Sequence, residues 1–419
     1  ATTLLATLYQ RGLLIPDNRT SGGYRMHDAV RAAALIESDK RDSSRHLAAA
    51  DERLFRYARS AIGAAVLMVD SSLLFTDTET DRHGLMPLLR HESDVAALRW
   101  LDRHHADLLA VARRCLSARS PQAWRLIYEL ESYQRLRGFY AEIIELNSQA
   151  LSLTLHAGDS LGQAAMHQNL GLVDMRTSNY QAALARFQAA LALYEQAGSR
   201  AGQAEIHHEL CNVNKWLGNL AQARAHATFC FETASSGDDL VELAFAHANL
   251  GILDRLEGGY PSAREHLTRA MKLFEQVGQR RGVGICHRQL GMLDEHLSRY
   301  HDARAHLDHA LSLFQELGDL MNQADAHCNL AVVHRGLGLL ATAHEHATTA
   351  LTLASQIRHV QGLADAHTEL ALLAQTMGDH TAARTHLHHA RDLHRRLQQH
   401  GGPGPDVLDA GDPAVRRDG

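Results

Sequence analysis

Apolar positions along this chain recur in a fixed long period. Leu130, Leu170, Leu210, Leu250, Leu290, Leu330 and Leu370 stand 40 residues apart without a slip. A second column holds Ala150, Ala190, Cys230, Ala270, Ala310, Ala350 and Ala390. A third holds Gly138, Ser178, Gly218, Gly258, Ser298, Gly338 and Gly378, and a fourth Tyr140, Tyr180, Leu220, Tyr260, Tyr300, Leu340 and His380. Repetition on this scale marks stacked supersecondary units. The Leu column predicts the inner face of a first helix. Eight residues later, Gly or Ser marks a turn that needs the left-handed backbone ending a helix. The aromatic after it packs across the turn, and the small residue lets a second helix approach the first. Ala183, Ala223, Ala263, Ala303, Ala343 and Ala383 do the same about two turns earlier. Each unit is thus read as two helices of roughly 14–17 residues, about 21–26 Å long at about 1.5 Å per residue. The fold class is all-α, an α-solenoid of about seven helix pairs over residues 118–397. One unit cannot bury both faces, so neighbours share one core, and the stacked first helices line a concave groove that is the default binding surface.

Residues 1–45 fall outside the period. Leu4, Leu5 and Leu8 suggest a helix ending near Gly12, Leu13 to Ile15 an extended run, and Asp17 to Gly23 a polar turn. The stretch Gly23 to Asp28 leads into a helix carrying Val30, Ala33 and Ala34, with Asp28 placed as its N-cap. These are the parts of a partial winged-helix unit. Residues 46–117 read as a helical linker with a polar loop at Thr76 to Gly84, and residues 398–419 as a disordered tail, rich in Gly, Pro and Asp.

Composition narrows the function classes. Seven prolines in 419 residues suit long helices. A net charge of −6 argues against a broad nucleic-acid-binding surface. The five cysteines are an odd number with no C-x-x-C pair, as expected of reduced thiols in a cytoplasmic protein. No apolar run reaches membrane-spanning length and no signal peptide is visible, so membrane partners are not expected. The first residue is Ala, which suggests a processed or truncated product. There is no G-x-S-x-G, H-E-x-x-H or G-x-x-x-x-G-K-[ST], and Gly282 and Gly284 lack the Lys-Ser or Lys-Thr of a phosphate loop. No enzyme activity and no metal site are therefore expected.

Thirty histidines ask for an explanation, and two columns hold many of them: His167, His207, His247, His287, His327 and His367, then His226, His266, His306, His346 and His386. The favoured reading is structural, imidazoles packed where an aromatic would stand. A pH-sensing role is the second reading. Single ligands on successive units stand too far apart to share a metal, since Zn–N bonds are about 2 Å, although His386, His388, His389 and His394 could catch one adventitiously. Candidate groove residues are those of the first helices pointing away from the Leu column: Lys215, Trp216, Arg255, Arg288, Glu295, His296 and Arg335. Their cationic majority suits an acidic peptide or anionic ligand, and a solvated helix face is the competing reading.

The segment His167-Gln-Asn-Leu-Gly171, followed by Ser178, Tyr180, Ala183, Phe187 and Ala190, resembles the tetratricopeptide repeat. It departs from that family in its period, 40 rather than 34, and in placing His where the family has a leading Trp. Met26-His27-Asp28, within the stretch from Leu4 to Ala34, resembles the M-H-D motif of the winged-helix subdomain in NB-ARC (STAND) ATPases. With Arg53 to Tyr57 and Ala97 to Asp102 it is similar to actinobacterial regulators of the AfsR/SARP type, in which an NB-ARC ATPase precedes tetratricopeptide repeats. The resemblance implies that His27 contacts the phosphate of bound ADP, with Asp28 beside it. A helix cap with a packed imidazole is the plainer reading of the pair. ADP or ATP is expected only if an ATPase lies upstream, and no cofactor is expected in this chain itself. The implied function is the sensor and protein-interaction arm of a signalling or transcriptional regulator, which holds its ATPase closed until a partner or ligand arrives. Regulators of this type control secondary-metabolite genes. The alternative is a stand-alone scaffold binding a peptide or protein partner. Oligomeric state is left open.

Overall fold

The protein is described from a computed structural model, which describes residues 14–16, 24–26, 44–69, 93–237 and 239–399. Near the front, β1 (Leu14–Pro16) and β2 (Tyr24–Met26) pair antiparallel, with Leu14 opposite Met26. The expected extended run thus overlaps a strand, whose partner ends on Met26 of the M-H-D motif. His27, Asp28, the helices expected to either side, the Thr76 to Gly84 loop and residues 400–419 lie outside the described residues.

Two helices come next, α1 (Ser44–Val69) and α2 (Asp94–Ser117). They pack on each other and on the first repeat. Seven helix pairs follow: α3 (Ala123–Leu136) with α4 (Tyr140–Ala157), α5 (Ser160–Arg176) with α6 (Tyr180–Ala197), α7 (Arg200–Trp216) with α8 (Leu220–Ser235), α9 (Leu240–Leu256) with α10 (Tyr260–Gln276), α11 (Arg280–His296) with α12 (Tyr300–Leu317), α13 (Leu320–Gly336) with α14 (Leu340–Gln356), and α15 (Val360–Thr376) with α16 (His380–Gln399). The last helix runs two residues past the expected limit at 397. The longer period is taken up by the helices, which reach 17 residues in α5 and 18 in α6, while the turns stay short.

Local chemistry sets the ends. All seven residues of the Gly/Ser column have positive φ, from 57° at Ser298 to 83° at Gly378. Glycine takes that conformation freely, whereas Ser178 and Ser298 do so at a cost. At the next first helix, Asp159, Ser199, Asp239 and Asp319 accept backbone N–H groups from Gly162, Gly202, Glu242 and Asn322. Each cap satisfies a donor that the first turn leaves open.

The core follows the columns. The seven leucines are buried, Leu250 being the most accessible at 8%. Gly171, Gly251 and Gly291 sit against Phe187, Leu267 and Leu307, where a Cβ would come within 2.7–2.8 Å of those side chains. The absent side chain lets the two helices of a unit close together. First helices of successive units touch one another, whereas second helices from α6 onward stand further apart. That wedge curves the stack, with first helices inside. The curvature is tight enough for the stack to meet itself. Arg137, at the turn after α3, donates to the carbonyls of Leu317 and Gly318 at 3.3 Å, 180 residues away, or four and a half periods. Arg280 on α11 pairs with Asp94 at 3.0 Å, and Leu317, Ala364 and Leu397 join the apolar cluster of the first helices.

Candidate functional site

The groove candidates lie on the first helices, and three of the seven are hydrogen-bonded across units. Lys215 Nζ donates to Asn249 Oδ1 at 2.8 Å, and the Asn249 amide bonds His208 Nδ1 at 2.8 Å. Arg255 Nε donates to Gln289 Oε1 at 3.2 Å. Arg335 grips Glu369 through two bonds, 2.6 and 3.2 Å. Each rung spans 34 residues and links the end of one first helix to the middle of the next. Arg288 approaches Asp325 only to 3.7 Å, and its buried Nε has no hydrogen-bond partner. Glu295 contacts its neighbour His296, whose Nδ1 also bonds the Met292 carbonyl at 2.9 Å. Trp216 is 38% exposed and stacks on Tyr180 at 5.7 Å. The structure therefore brings Lys215, Arg255, Arg288 and Arg335 onto one wall.

Electrostatics distinguish the rungs. Among the described residues, neither Lys215 nor Arg255 has a carboxylate within 4.0 Å. Burial lowers the Lys215 amine from its usual value, with Arg255 and Arg288 adding to the effect. Burial, then the charge of Arg288, lowers Arg255 to about 10. Two acids on first helices, Glu205 on α7, the helix of Lys215, and Asp365 on α15, are shifted upward. Burial raises Glu205 to about 7, although Tyr128 and Gln168 donate to it at 2.7 and 2.8 Å, and burial raises Asp365 to about 7. The Tyr128, Gln168, Glu205 and Tyr194 network was not foreseen, because none of its members forms a column.

The histidine columns form a second ladder. His207 faces His226, His247 faces His266, His287 faces His306, His327 faces His346, and His367 faces His386, with Nδ1 to Nδ1 distances of 2.8–3.0 Å. In each, one imidazole N–H donates to the bare nitrogen of the other. All ten rings are half-buried. Burial, then the facing His226, lowers His207 to about 4; His247, His287, His327 and His367 are likewise lowered to about 4, with burial the first cause. His167 lacks this partner: Arg186 stands in the second position and bonds Asp174 at 2.5 Å, leaving His167 Nδ1 buried and unbonded. The 19-residue offset between the columns was the signal in the sequence that they could meet.

Among the described residues, no three His, Cys, Asp or Glu side chains are gathered closely enough to hold a metal ion as they stand. The five cysteines are free thiols, and all but Cys230 are buried. No helix among the described residues is long and apolar enough to cross a membrane.

The family model described as Tetratricopeptide repeat matches residues 202–276 and 285–356, so the chain contains tetratricopeptide repeats. No curated protein matches the chain in sequence. Among solved structures, the chain is similar to a Rap protein complexed with competence and sporulation factor, with 14% identity and a TM-score of 0.58 over 85% of this chain and 100% of that one. It is also similar to a STAND protein with a tetratricopeptide repeat sensor from Pyrococcus horikoshii, with 15% identity and a TM-score of 0.47 over 86% of this chain and 60% of that one. Aspartyl phosphate phosphatase F from Bacillus subtilis shows 17% identity and a TM-score of 0.47 over 70% and 85% of the two chains. At these identities the likeness is one of fold. What is shared is the α-solenoid architecture.

Proposed function

We propose that this chain is the sensing and protein-interaction arm of an actinobacterial-type signalling or transcriptional regulator, and that it takes a protein or peptide partner on its inner wall. The observation that carries this reading is the pair of cations Lys215, half-buried, and Arg255, buried, with no carboxylate within 4.0 Å among the described residues. Removing a charge from water costs several kcal/mol by order of magnitude, and only a well-placed opposite charge offsets it. A carboxylate on the partner would complete these rungs as Glu369 completes the rung at Arg335. Support of a coarser kind comes from the similar Rap protein, which is seen complexed with competence and sporulation factor.

The test is partner capture by the intact chain and by the K215Q/R255Q variant. The variant should stay folded and lose capture, because it removes charge and leaves the leucine core untouched. Undiminished capture by a folded variant would place the partner elsewhere. The competing stand-alone scaffold differs in what the arm is attached to. The regulator reading requires a G-x-x-x-x-G-K-[ST] segment encoded upstream of Ala1 in the same gene. In that setting His27 and Asp28 would face ADP held by the upstream domain; the arm itself is assigned no cofactor, no reaction and no nucleic acid. Its place in this reading is the cytoplasm.

A further inference from the structure

Two half-buried arginines on first helices hold almost all of their hydrogen-bond donors in reserve. Arg176 closes α5, and Arg288 lies midway along α11. A guanidinium carries five N–H donors, and a thioether sulfur is a weak acceptor. Arg176 spends one donor on the Met321 sulfur at 3.1 Å, and its buried Nε has no hydrogen-bond partner. Arg288 reaches the Met292 sulfur at 3.9 Å, and its Nε is likewise buried and unbonded. Among the described residues, neither guanidinium has an oxygen acceptor within 3.5 Å. Unspent buried donors of this kind call for a partner.

The two groups belong to one cluster. Asp325 stands 3.7 Å from Arg288. Met321, which touches Arg176, lies one turn before Asp325 on the same face of α13, about 5–6 Å away between Cβ atoms. His359, the residue before α15, is 8% exposed. Its Nδ1 is 4.0 Å from Asp325, too far for a hydrogen bond, and has no other hydrogen-bond partner. Burial lowers the His359 imidazole from its usual value; Asp325 opposes this, and Arg176 and Arg288 both add to it. One buried ring thus lies in electrostatic reach of both arginines. The cluster draws on the second, fifth, sixth and seventh units, so it forms only where the stack curves back on itself.

We propose that Arg176, Arg288 and His359 form a binding site for a phosphate group, either the free ion or the monoester of a small molecule. Shape selects phosphate over carboxylate. The donors sit on three separate side chains, brought by α5, α11 and the start of α15. A carboxylate has two oxygens and matches one guanidinium fork, whereas a tetrahedral phosphate presents an oxygen to each donor group. Charge agrees. Arg281 is already paired with Asp319 at 2.8 Å, which leaves two arginines facing the carboxylate of Asp325. Asp365, raised to about 7 by burial, carries less than a full negative charge near neutral pH. Lys215 and Arg255, close enough to feel the charge of Arg288, add to the positive side. Solvent reaches the cluster, since the side chains of Arg288 and Asp325 are 16% and 21% exposed.

The experiment titrates the full chain with sodium phosphate, glycerol phosphate and sodium acetate at constant ionic strength, read by calorimetry and by Tm. Saturable phosphate binding with a rise in Tm is expected, and no saturation by acetate. R176Q and R288Q should each bind phosphate about tenfold more weakly, through loss of charge-assisted hydrogen bonds. Each removes a charge that has no close oxygen partner, so the fold should stand, as circular dichroism would verify. D325N should bind more tightly, because it takes a like charge away from the anion. This variant carries the test should an arginine variant fail to fold. Tighter binding of glycerol phosphate than of inorganic phosphate assigns the ester as the source, and the reverse order assigns the free ion. Acetate binding as well as phosphate overturns the proposal, as does the absence of saturation by either phosphate. So does a folded R176Q/R288Q variant that binds like the wild type, or a D325N variant that binds no more tightly than it.

Discussion

The inner wall and the histidine pairs are both polar ladders with the same 40-residue period, and they differ in what they join. The inner rungs tie one unit to the next, and their chemistry changes at each step: Lys215 to Asn249, Arg255 to Gln289, Arg335 to Glu369. The histidine rungs tie the two helices of one unit, and five in succession are alike. Constancy suits a contact buried within the repeating unit, where each copy meets the same neighbours. Change suits a wall that opens onto something the repeat does not itself supply. The two ladders should therefore respond differently to perturbation.

Acid is expected to have the largest effect, because it acts on all five histidine rungs together. Imidazoles that titrate near 4 in the fold and near 6.5 when free bind fewer protons folded than unfolded between those values. Stability therefore falls as pH drops through that window. Glu205 and Asp365, raised to about 7, act with the opposite sign, since the folded state keeps protons that the unfolded chain has released between about 4 and 7. Five imidazoles against two carboxyls set the net direction. Below that range Asp319, lowered to about 2 by Arg281 against the effect of its own burial, adds a further loss as it protonates. Thermal melts from pH 7 to 4 should show a falling Tm, less steep in H287Q/H306Q. A Tm that holds steady down to pH 4 would remove the ladder's electrostatic role.

Next in size are the inner rungs, which should split by sign. Glu369→Ala takes the paired carboxylate away from a partly buried Arg335 and should cost about 1–2 kcal/mol. Arg255→Met removes a buried cation that has no carboxylate partner and should be neutral or stabilising by up to about 1 kcal/mol. Urea denaturation of both variants decides this. Equal losses would mean that the inner wall is ordinary packing. The smallest effect belongs to the turns that both ladders share. Ser298→Gly relieves a left-handed residue and gives back some of that gain as unfolded-chain entropy, so a net stabilisation of about 0.5–1 kcal/mol is expected in the same assay.

Local physics was legible in the sequence. A leucine recurring every 40 residues, a Gly or Ser at each positive φ and an Asp or Ser at several helix starts each act within a few residues of chain, so their columns are readable one unit at a time. The placement of Lys215, Arg255, Arg288 and Arg335 on first helices was legible for the same reason. Their partners were not, because each lies on a neighbouring helix and depends on how far one unit rotates against the next. The same small rotation, summed over four and a half units, brings Arg137 to the carbonyl of Gly318. The identity of the histidine columns belonged to the sequence. That their nitrogens meet at 2.8–3.0 Å, and resist protonation there, was decided only when two helices packed and took water away.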